Sequence, residues 1–164
     1  MNGIARMSAG ALLALWLSAC DRAEAPAPNE AATASAADAN KLLSDVIAAL
    51  NRKDWAAVKA LYASEAIMIT PDSPPFKGAQ AISAEYDRLA ADSAMQFNGT
   101  AGAIQASSSG DLAFADATYK MTYTNPETSK VESATGYCVW VFSKQPDGSW
   151  KIVRDVSSPV PAAG

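Results

Sequence analysis

Apolar residues recur at helical spacing in the first half of the chain, after an Ala-rich start. One helical face is predicted from Leu42, Leu43, Val46, Ile47 and Leu50. A second, shorter helix capped by Asp54 is predicted to carry Trp55, Val58, Leu61 and Tyr62. Ile67-Met68-Ile69 follows as a short strand that Pro71 stops, and a third helix with Ile82, Tyr86 and Leu89 begins at Gly78.

The apolar period changes from helical to alternating near residue 94. Alternation over 112–123 predicts a strand with Ala113, Ala115, Ala117, Tyr119, Met121 and Tyr123 on one face. Turn signals at 125–127 and 146–148 lead into further strands over 131–143 and 149–156. We therefore predict an α+β domain, with three N-terminal helices packed on a curved antiparallel sheet. The expected core is Leu43, Ile47, Leu50, Val58, Leu61, Ile67, Ile82, Leu89 and Phe142.

The N-terminus has the pattern of an export signal. Arg6 precedes the apolar run 9–17, which is too short to span a bilayer. Leu17-Ser18-Ala19-Cys20 resembles the lipobox of bacterial lipoproteins. That resemblance implies an acylated Cys20, a lipid-bilayer anchor and a place on the periplasmic face of a bacterial cell envelope, and Asp21 resembles an inner-membrane retention signal. The alternative is an ordinary signal peptide with an incidental Cys20.

This pattern divides the chain into four segments. Residues 1–19 are predicted to be the signal peptide and 20–39 a disordered Ala/Pro-rich tether, because the tether has no residue that can pack a core. The folded domain is predicted over 40–157, followed by a flexible tail over 158–164.

Charge and histidine content exclude several functions. Thirteen Lys and Arg stand against 17 Asp and Glu, so we expect no nucleic-acid partner. The chain has no histidine, which removes Ser-His-Asp and Cys-His catalysis and histidine-ligated metals. We predict no metal site and no cofactor. Cys138 lies in a strand-like run and is expected to be a small buried hydrophobe.

The order of elements over 40–157 resembles the nuclear transport factor 2-like cone. The resemblance is carried by Ala48-Ala49-Leu50-Asn51, Asp54-Trp55, Leu61-Tyr62-Ala63, Gly78 with Ala81-Ile82, and the run 147–155. These segments are similar to SnoaL-like and ketosteroid-isomerase-like domains, many of unknown function. The resemblance implies an apolar pocket at the open end of the cone and a convex face that often pairs two subunits.

The catalytic groups of ketosteroid isomerases have no counterparts here. The family pattern places the carboxylate base at Thr70, the helical tyrosine at Val46 and the second acid at Trp140. None of these residues can take over the corresponding role. The resemblance therefore does not imply that activity.

Other polar residues near the implied pocket are candidates for ligand contact: Thr70, Asp72, Tyr86, Tyr119, Trp140 and Asp155. In an apolar cavity Asp155 would have a raised pKa and could act as a general acid or base. The alternative is a solvated carboxylate or an ion pair with Lys151 or Arg154. Plain core packing is the alternative for Tyr86, Tyr119 and Trp140.

The last two predicted strands are apolar on both faces, although the helices can cover only one. We expect a homodimer formed sheet to sheet through Tyr137, Val139, Val141, Trp150 and Ile152, which leaves Trp140 and Asp155 for the cavity. Three functions stay open. They are a non-catalytic pocket for a small apolar or amphipathic ligand, a structural or partner-binding domain with a filled cone, and an isomerase- or cyclase-like enzyme using Asp155 or Asp72.

Overall fold

The computed structural model describes residues 30–160. Its helices are α1 (Glu30–Arg52), α2 (Trp55–Ala60) and α3 (Gly78–Ala91). Its strands are β1 (Tyr62–Ile69), β2 (Phe76–Lys77), β3 (Gln96–Ala106), β4 (Leu112–Thr124), β5 (Val131–Lys144) and β6 (Trp150–Pro159). The predicted signal segment, Cys20 and Asp21 lie outside the described residues. No helix within 30–160 is long and apolar enough to cross a membrane.

The six strands form one curved sheet in the order β2-β1-β6-β5-β4-β3. The predicted meander is present, because β3 to β6 pair antiparallel with their neighbours in sequence. The prediction of a wholly antiparallel sheet was wrong, since β1 lies parallel to β6. A parallel pair requires a long connection, and here almost the whole domain separates the two strands.

Helix α1 begins at Glu30, so the prediction of a tether up to residue 39 was wrong for its last ten residues. Ala32, Ser35 and Ala39 are all buried, and the Ser35 hydroxyl donates to the Gly110 carbonyl at 2.6 Å. Small side chains at this spacing form a narrow helical stripe that packs closely. The prediction of a flexible tail was wrong for residues 158–160, because β6 runs to Pro159 and the Val160 amide donates to the Thr135 carbonyl.

The shorter helices begin where the sequence predicts. The Asp54 carboxylate accepts a hydrogen bond from the Ala57 amide at 3.1 Å and caps α2. Gly78 opens α3 at a φ of +83°, where a side chain would be strained and a Cβ would lie 3.3 Å from the Ser64 carbonyl. These junctions fix where α2 and α3 lie against β1.

The core lies between the helices and the inner face of the sheet. On β4 and β5 the large Trp140 and Phe142 pair in register with Ala115 and Ala113, so small residues make room for large ones. The predicted core residues Leu43, Leu50, Val58, Ile82 and Phe142 are buried. Ile47, Leu61, Ile67 and Leu89 are only half-buried.

A bulge in β6 overturns the predicted faces of that strand. Val141 pairs with Arg154 and Phe142 pairs with Ile152, so Val153 is an extra residue without a partner on β5. Asp155 and Ile152 therefore share the inner face, and both are buried. The prediction that Ile152 and Trp150 cover a partner surface was wrong, because Ile152 is in the core and Trp150 packs against it.

Candidate functional site

The apolar core contains very few polar side chains. Within residues 30–160 the buried polar or charged side chains are Ser35, Glu85 and Asp155. The Ser35 hydroxyl donates a hydrogen bond to the Gly110 carbonyl. Both carboxylate oxygens of Glu85 accept hydrogen bonds from Arg88, at 2.7 and 2.6 Å. Asp155 is 6% exposed and has no Lys or Arg partner in this part of the chain. It is the one uncompensated charge of the described core.

Two tyrosine hydroxyl groups form a hydrogen-bonded chain that ends at the Asp155 carboxylate. Tyr62 donates to Asp155 Oδ2 at 2.5 Å, and the Tyr62 and Tyr86 hydroxyl oxygens are 2.8 Å apart. A phenol has a single proton, so Tyr86 must be the donor in the second bond while Asp155 is ionised. The chain of donors therefore runs from α3 through β1 to the carboxylate on β6.

Trp140 and Cys138 complete the surroundings of the carboxylate. Asp155 on β6 pairs in register with Trp140 on β5 and with Met68 on β1. The Trp140 indole N–H lowers the pKa of Asp155 as a nearby donor, and its Nε1 is buried without a close hydrogen bond within the described residues. We call Asp155, Tyr62, Tyr86 and Trp140 the acid–tyrosine cluster.

Burial dominates the electrostatics of the cluster. It raises the pKa of Asp155 to about 6, against the lowering effects of the Tyr62 and Trp140 donors. Burial also raises the pKa values of Tyr62 and Tyr86, and the charge of Asp155 raises them further. The pKa of the Cys138 thiol is raised by burial and then by Asp155, so this cysteine is a neutral thiol. The cluster thus has one group that changes charge near neutral pH.

Both alternatives considered for Asp155 disagree with this geometry. The carboxylate is not solvated, and neither basic neighbour in sequence pairs with it. The Lys151 ammonium donates to the Ala60 carbonyl at 2.7 Å, and the Arg154 guanidinium donates to the Val153 carbonyl at 2.6 Å.

Three of the six predicted pocket residues meet in the cluster, namely Asp155, Trp140 and Tyr86. Thr70 lies half-buried just after β1, and Asp72 is exposed in the proline-rich loop at a φ of +59°. Tyr119 is buried elsewhere on the inner face, where its ring stacks on Phe97 at 5.8 Å. No hydrogen bond within the described residues joins these three to the cluster.

Tyr62 is the cluster residue that sequence reasoning missed. Its position after Leu61 fits the apolar face of the second helix, so it was assigned to that helix. The structure ends α2 at Ala60 and makes Tyr62 the first residue of β1.

The cluster lies beneath the surface. An open depression of about 560 Å³ at the junction of β1 and α3 is lined by Ser64, Glu65, Ile67, Lys77, Gly78, Ala79 and Gln80. A second, of about 540 Å³, lies over β3 to β5 and includes Tyr119. Neither includes a residue of the cluster. Within residues 30–160, no three acidic, Cys or His side chains are placed to hold a metal ion.

Comparison with known proteins assigns the fold and the family. The SnoaL-like domain family matches residues 39–163. No curated protein sequence matches the chain significantly. A ketosteroid isomerase-like protein from Erwinia carotovora atroseptica is similar in structure, with a TM-score of 0.66 and 22% identity over 77% of this chain and 97% of that one.

Two further solved structures share the fold. A nuclear transport factor 2-like superfamily protein from Salmonella enterica superposes with a TM-score of 0.64 and 18% identity, covering 80% of this chain and 95% of that one. An uncharacterized protein with a cystatin-like fold from Caulobacter vibrioides has a TM-score of 0.66 at 12% identity, over 79% and 92% of the two chains. At these identities the likeness concerns the fold alone.

Proposed function

Because the chain belongs to the SnoaL-like domain family of the nuclear transport factor 2-like superfamily, we propose that its cone binds a small, largely apolar molecule at the acid–tyrosine cluster. The observation that carries this proposal is the buried Asp155 without a counter-ion. Burying a charge without a partner is costly, and an apolar residue of similar size would give a more stable core. A ligand that pairs with this group would explain why such a residue occupies the position, and because the cluster lines neither depression, binding there requires the packed core to open.

Native mass spectrometry of the full chain, purified from its own membrane, tests the proposal. We expect a co-purified small molecule, and we expect Asp155→Asn to raise its Kd by about tenfold and so to lower the bound fraction, which corresponds to the loss of one charge-assisted hydrogen bond. Asp38→Asn is the matched control, because Asp38 is an exposed carboxylate on α1. A chain without any bound molecule would favour the structural domain with a filled cone.

Proton transfer at the same site is a second candidate function. The observation in its favour is the pKa of Asp155, raised to about 6 by burial, because a general acid or base works best with a pKa near the operating pH. Asp72, the other carboxylate considered, is exposed in the loop after β1. An enzyme of this kind would convert the co-purified molecule, with a rate that depends on a group titrating near pH 6 and is lost in Asp155→Asn. A merely bound molecule stays unchanged.

We also propose that Cys20 carries the lipid that holds the domain on the periplasmic face of the cell envelope. The support is the order of Arg6, the apolar run 9–17 and the Leu-Ser-Ala-Cys box. Cys20→Ser should move the protein from the membrane fraction to the soluble fraction. Unchanged partition would contradict the anchor without affecting the binding proposal.

The outer face of the sheet supports a homodimer. Five of its exposed apolar residues, here called the outer patch, are Ile69, Phe114, Tyr137, Val139 and Val156. Val156 pairs in register with both Val139 and Ile69, so the patch is continuous across β5, β6 and β1. Asp116 and Arg154 lie on opposite sides of β5, which gives two copies charges of opposite sign to pair. We propose that a second copy covers this patch.

A further inference from the structure

Resting on the proposed lipid anchor at Cys20, we infer that one end of the domain faces the lipid headgroups of the membrane and that the opposite end points away from them. The membrane-facing end, here called the anchor end, consists of the start of α1 with the β3–β4 turn (107–111) and the β5–β6 turn (145–149). The opposite end, here called the distal end, consists of the end of α1 with the β4–β5 turn (125–130). The orientation follows from the short chain between Cys20 and α1 and from the direction of α1 in the domain.

Hydrogen bonds hold the start of α1 and the two turns together at the anchor end. The buried Ser35 hydroxyl donates to the Gly110 carbonyl at 2.6 Å and joins the second turn of α1 to the β3–β4 turn. The Lys144 amide donates to the Asp111 carbonyl at 2.9 Å, so the β5–β6 turn begins beside the β3–β4 turn. The chain therefore enters the folded domain at this end.

Other contacts hold the last residues of α1 at the distal end. The Asn51 side-chain amide donates to the Gly99 carbonyl at 3.3 Å, and its oxygen accepts from the Gly99 amide at 2.8 Å. The Lys53 ammonium donates to the Met95 carbonyl at 2.8 Å, just before β3. Because β3 and β4 are antiparallel, the start of β3 lies at the same end as the turn that follows β4. Helix α1 thus runs from one end of the domain to the other.

The chain between Cys20 and α1 is too short to let the domain turn over freely. Nine residues, 21–29, separate Cys20 from Glu30. The ten residue steps between these two positions span at most about 36 Å. Helix α1 has 23 residues and is about 34 Å long. With the distal end on the bilayer, Glu30 would stand one helix length above it, and the connecting chain would have to be almost fully extended, at a large cost in conformational entropy.

The charge of the anchor end keeps it above the lipid headgroups. Its exposed side chains include the carboxylates of Glu30, Asp111 and Asp147 beside the ammonium of Lys144. Carboxylates are not transferred into hydrocarbon, and anionic headgroups repel them. The orientation therefore depends on the covalent connection to Cys20, and we expect the domain to have no affinity of its own for lipid.

This orientation leaves the depression over β3 to β5 open to molecules of the periplasm. Among the residues that line it, Asn98 belongs to the first part of β3, Thr135 belongs to the first part of β5, and Val160 follows β6. All three positions lie in the distal half of the domain. A partner or ligand of this depression can therefore approach from the side away from the membrane.

Energy transfer from the domain to the bilayer measures the orientation. We would purify the lipid-bearing full chain with a donor dye on Ser109→Cys at the anchor end or on Thr128→Cys at the distal end. The sites are matched, because both are exposed hydroxyl residues in turns, and the native Cys138 is buried. The vesicles would contain phosphatidylethanolamine and phosphatidylglycerol, with an acceptor dye on the headgroups. Transfer from Ser109→Cys should be at least about twofold more efficient, because the two ends lie about 34 Å apart.

A longer connection and the loss of the anchor provide the controls. Insertion of about 20 Gly and Ser residues after Asn29 should reduce the difference between the two dyes. A difference that survives this insertion would overturn the inference, because the anchor end would then bind lipid by itself. Equal transfer from both sites in membrane-bound protein, or more from Thr128→Cys, would overturn the orientation and leave the anchor. Cys20→Ser should abolish transfer from both sites, and transfer that persists would overturn the anchor and the orientation together.

Discussion

The two faces of the sheet are built from equally apolar strands but have opposite surroundings. On β5, Cys138, Trp140 and Phe142 point inward and are buried, while Tyr137 and Val139, which alternate with them, are 56% and 42% exposed. The helices cover only the inner face. Apolar content therefore does not distinguish the two faces, and the position of the helices does.

Each face also has an exception to its usual composition: a charged residue on the buried face and large apolar residues on the exposed face. The covered inner face includes an uncompensated carboxylate, Asp155, and the open outer face includes the outer patch. Buried polar groups and exposed apolar patches are the informative exceptions to the usual distribution of residues. We propose that the inner exception is a small-molecule site and that the outer one is an interface between two copies of the chain.

The largest expected difference between the faces is in stability. Phe142→Ala removes a fully buried ring on the inner face and should lower the free energy of unfolding by about 3–5 kcal/mol. Leu112→Ala at the exposed start of β4 should change it by no more than about 0.5 kcal/mol. Chemical denaturation measures both values. Similar losses for the two variants would contradict the assignment of the faces.

The inner carboxylate predicts a specific pH dependence. Its folded-state pKa of about 6 exceeds that of an unfolded aspartate, so Asp155 contributes stability that is complete below about pH 4 and is lost as pH rises through 6. The free energy of unfolding of Asp155→Asn minus that of the wild type should therefore increase by about 3 kcal/mol between pH 4 and pH 8. The contributions of the other carboxylates to the pH dependence are the same in both proteins and cancel in this difference. A flat difference would mean that Asp155 is not desolvated.

If the outer patch is the dimer interface, a charge placed in it should reduce the mass of the particle in solution from dimer to monomer. Val139→Glu places a charge at the centre of the proposed interface and should weaken the dimer by about 2–3 kcal/mol, or roughly a hundredfold in Kd. Sedimentation should then give a dimer for the wild type and a monomer for the variant at tens of micromolar. Thr122→Glu, on β4 outside the patch, is the control. A wild-type monomer would leave the patch without the proposed partner.

The smallest effect concerns the start of α1, which closes the inner face near the β3–β4 turn. Ser35→Ala removes the hydrogen bond to the Gly110 carbonyl and should cost about 1 kcal/mol. Ser44→Ala on the same helix is exposed and should be close to neutral. Thermal unfolding of the two variants compares them directly. Equal effects would show that the first turns of α1 contribute little to the covered face.

Local sequence signals predicted those parts of the fold that depend on local physics. The alternation from Ala113 to Tyr119, the Asp54 cap and the start of α3 at Gly78 were all confirmed. The parallel partner of β1 could not be predicted, because pairing between residues more than 80 positions apart leaves no local pattern. The Val153 bulge was missed for a similar reason, since one extra residue shifts the faces without changing composition.

The candidate site was likewise predicted only in part from the sequence. Asp155, Trp140 and Tyr86 were placed near the pocket by the family resemblance, and the structure brings them together. Tyr62 was missed because it lies at the boundary between α2 and β1, and the apolar pattern extends the predicted helix across that boundary. Thr70, Asp72 and Tyr119 were expected from the family resemblance, and the side chains of this chain do not bring them to Asp155.

The parallel pairing of β1 with β6 also has a consequence for the order of folding. The bond between Tyr62 and Asp155 joins residues 93 positions apart, near the beginning and the end of the domain. Contacts of such high contact order form slowly, because a long loop must close before they contribute. During synthesis the meander from β3 to β5 can form first, whereas the carboxylate and its tyrosine meet only once β6 has been made. The acid–tyrosine cluster is therefore a late product of folding, and a chain that ends before residue 155 can have most of the sheet but no site.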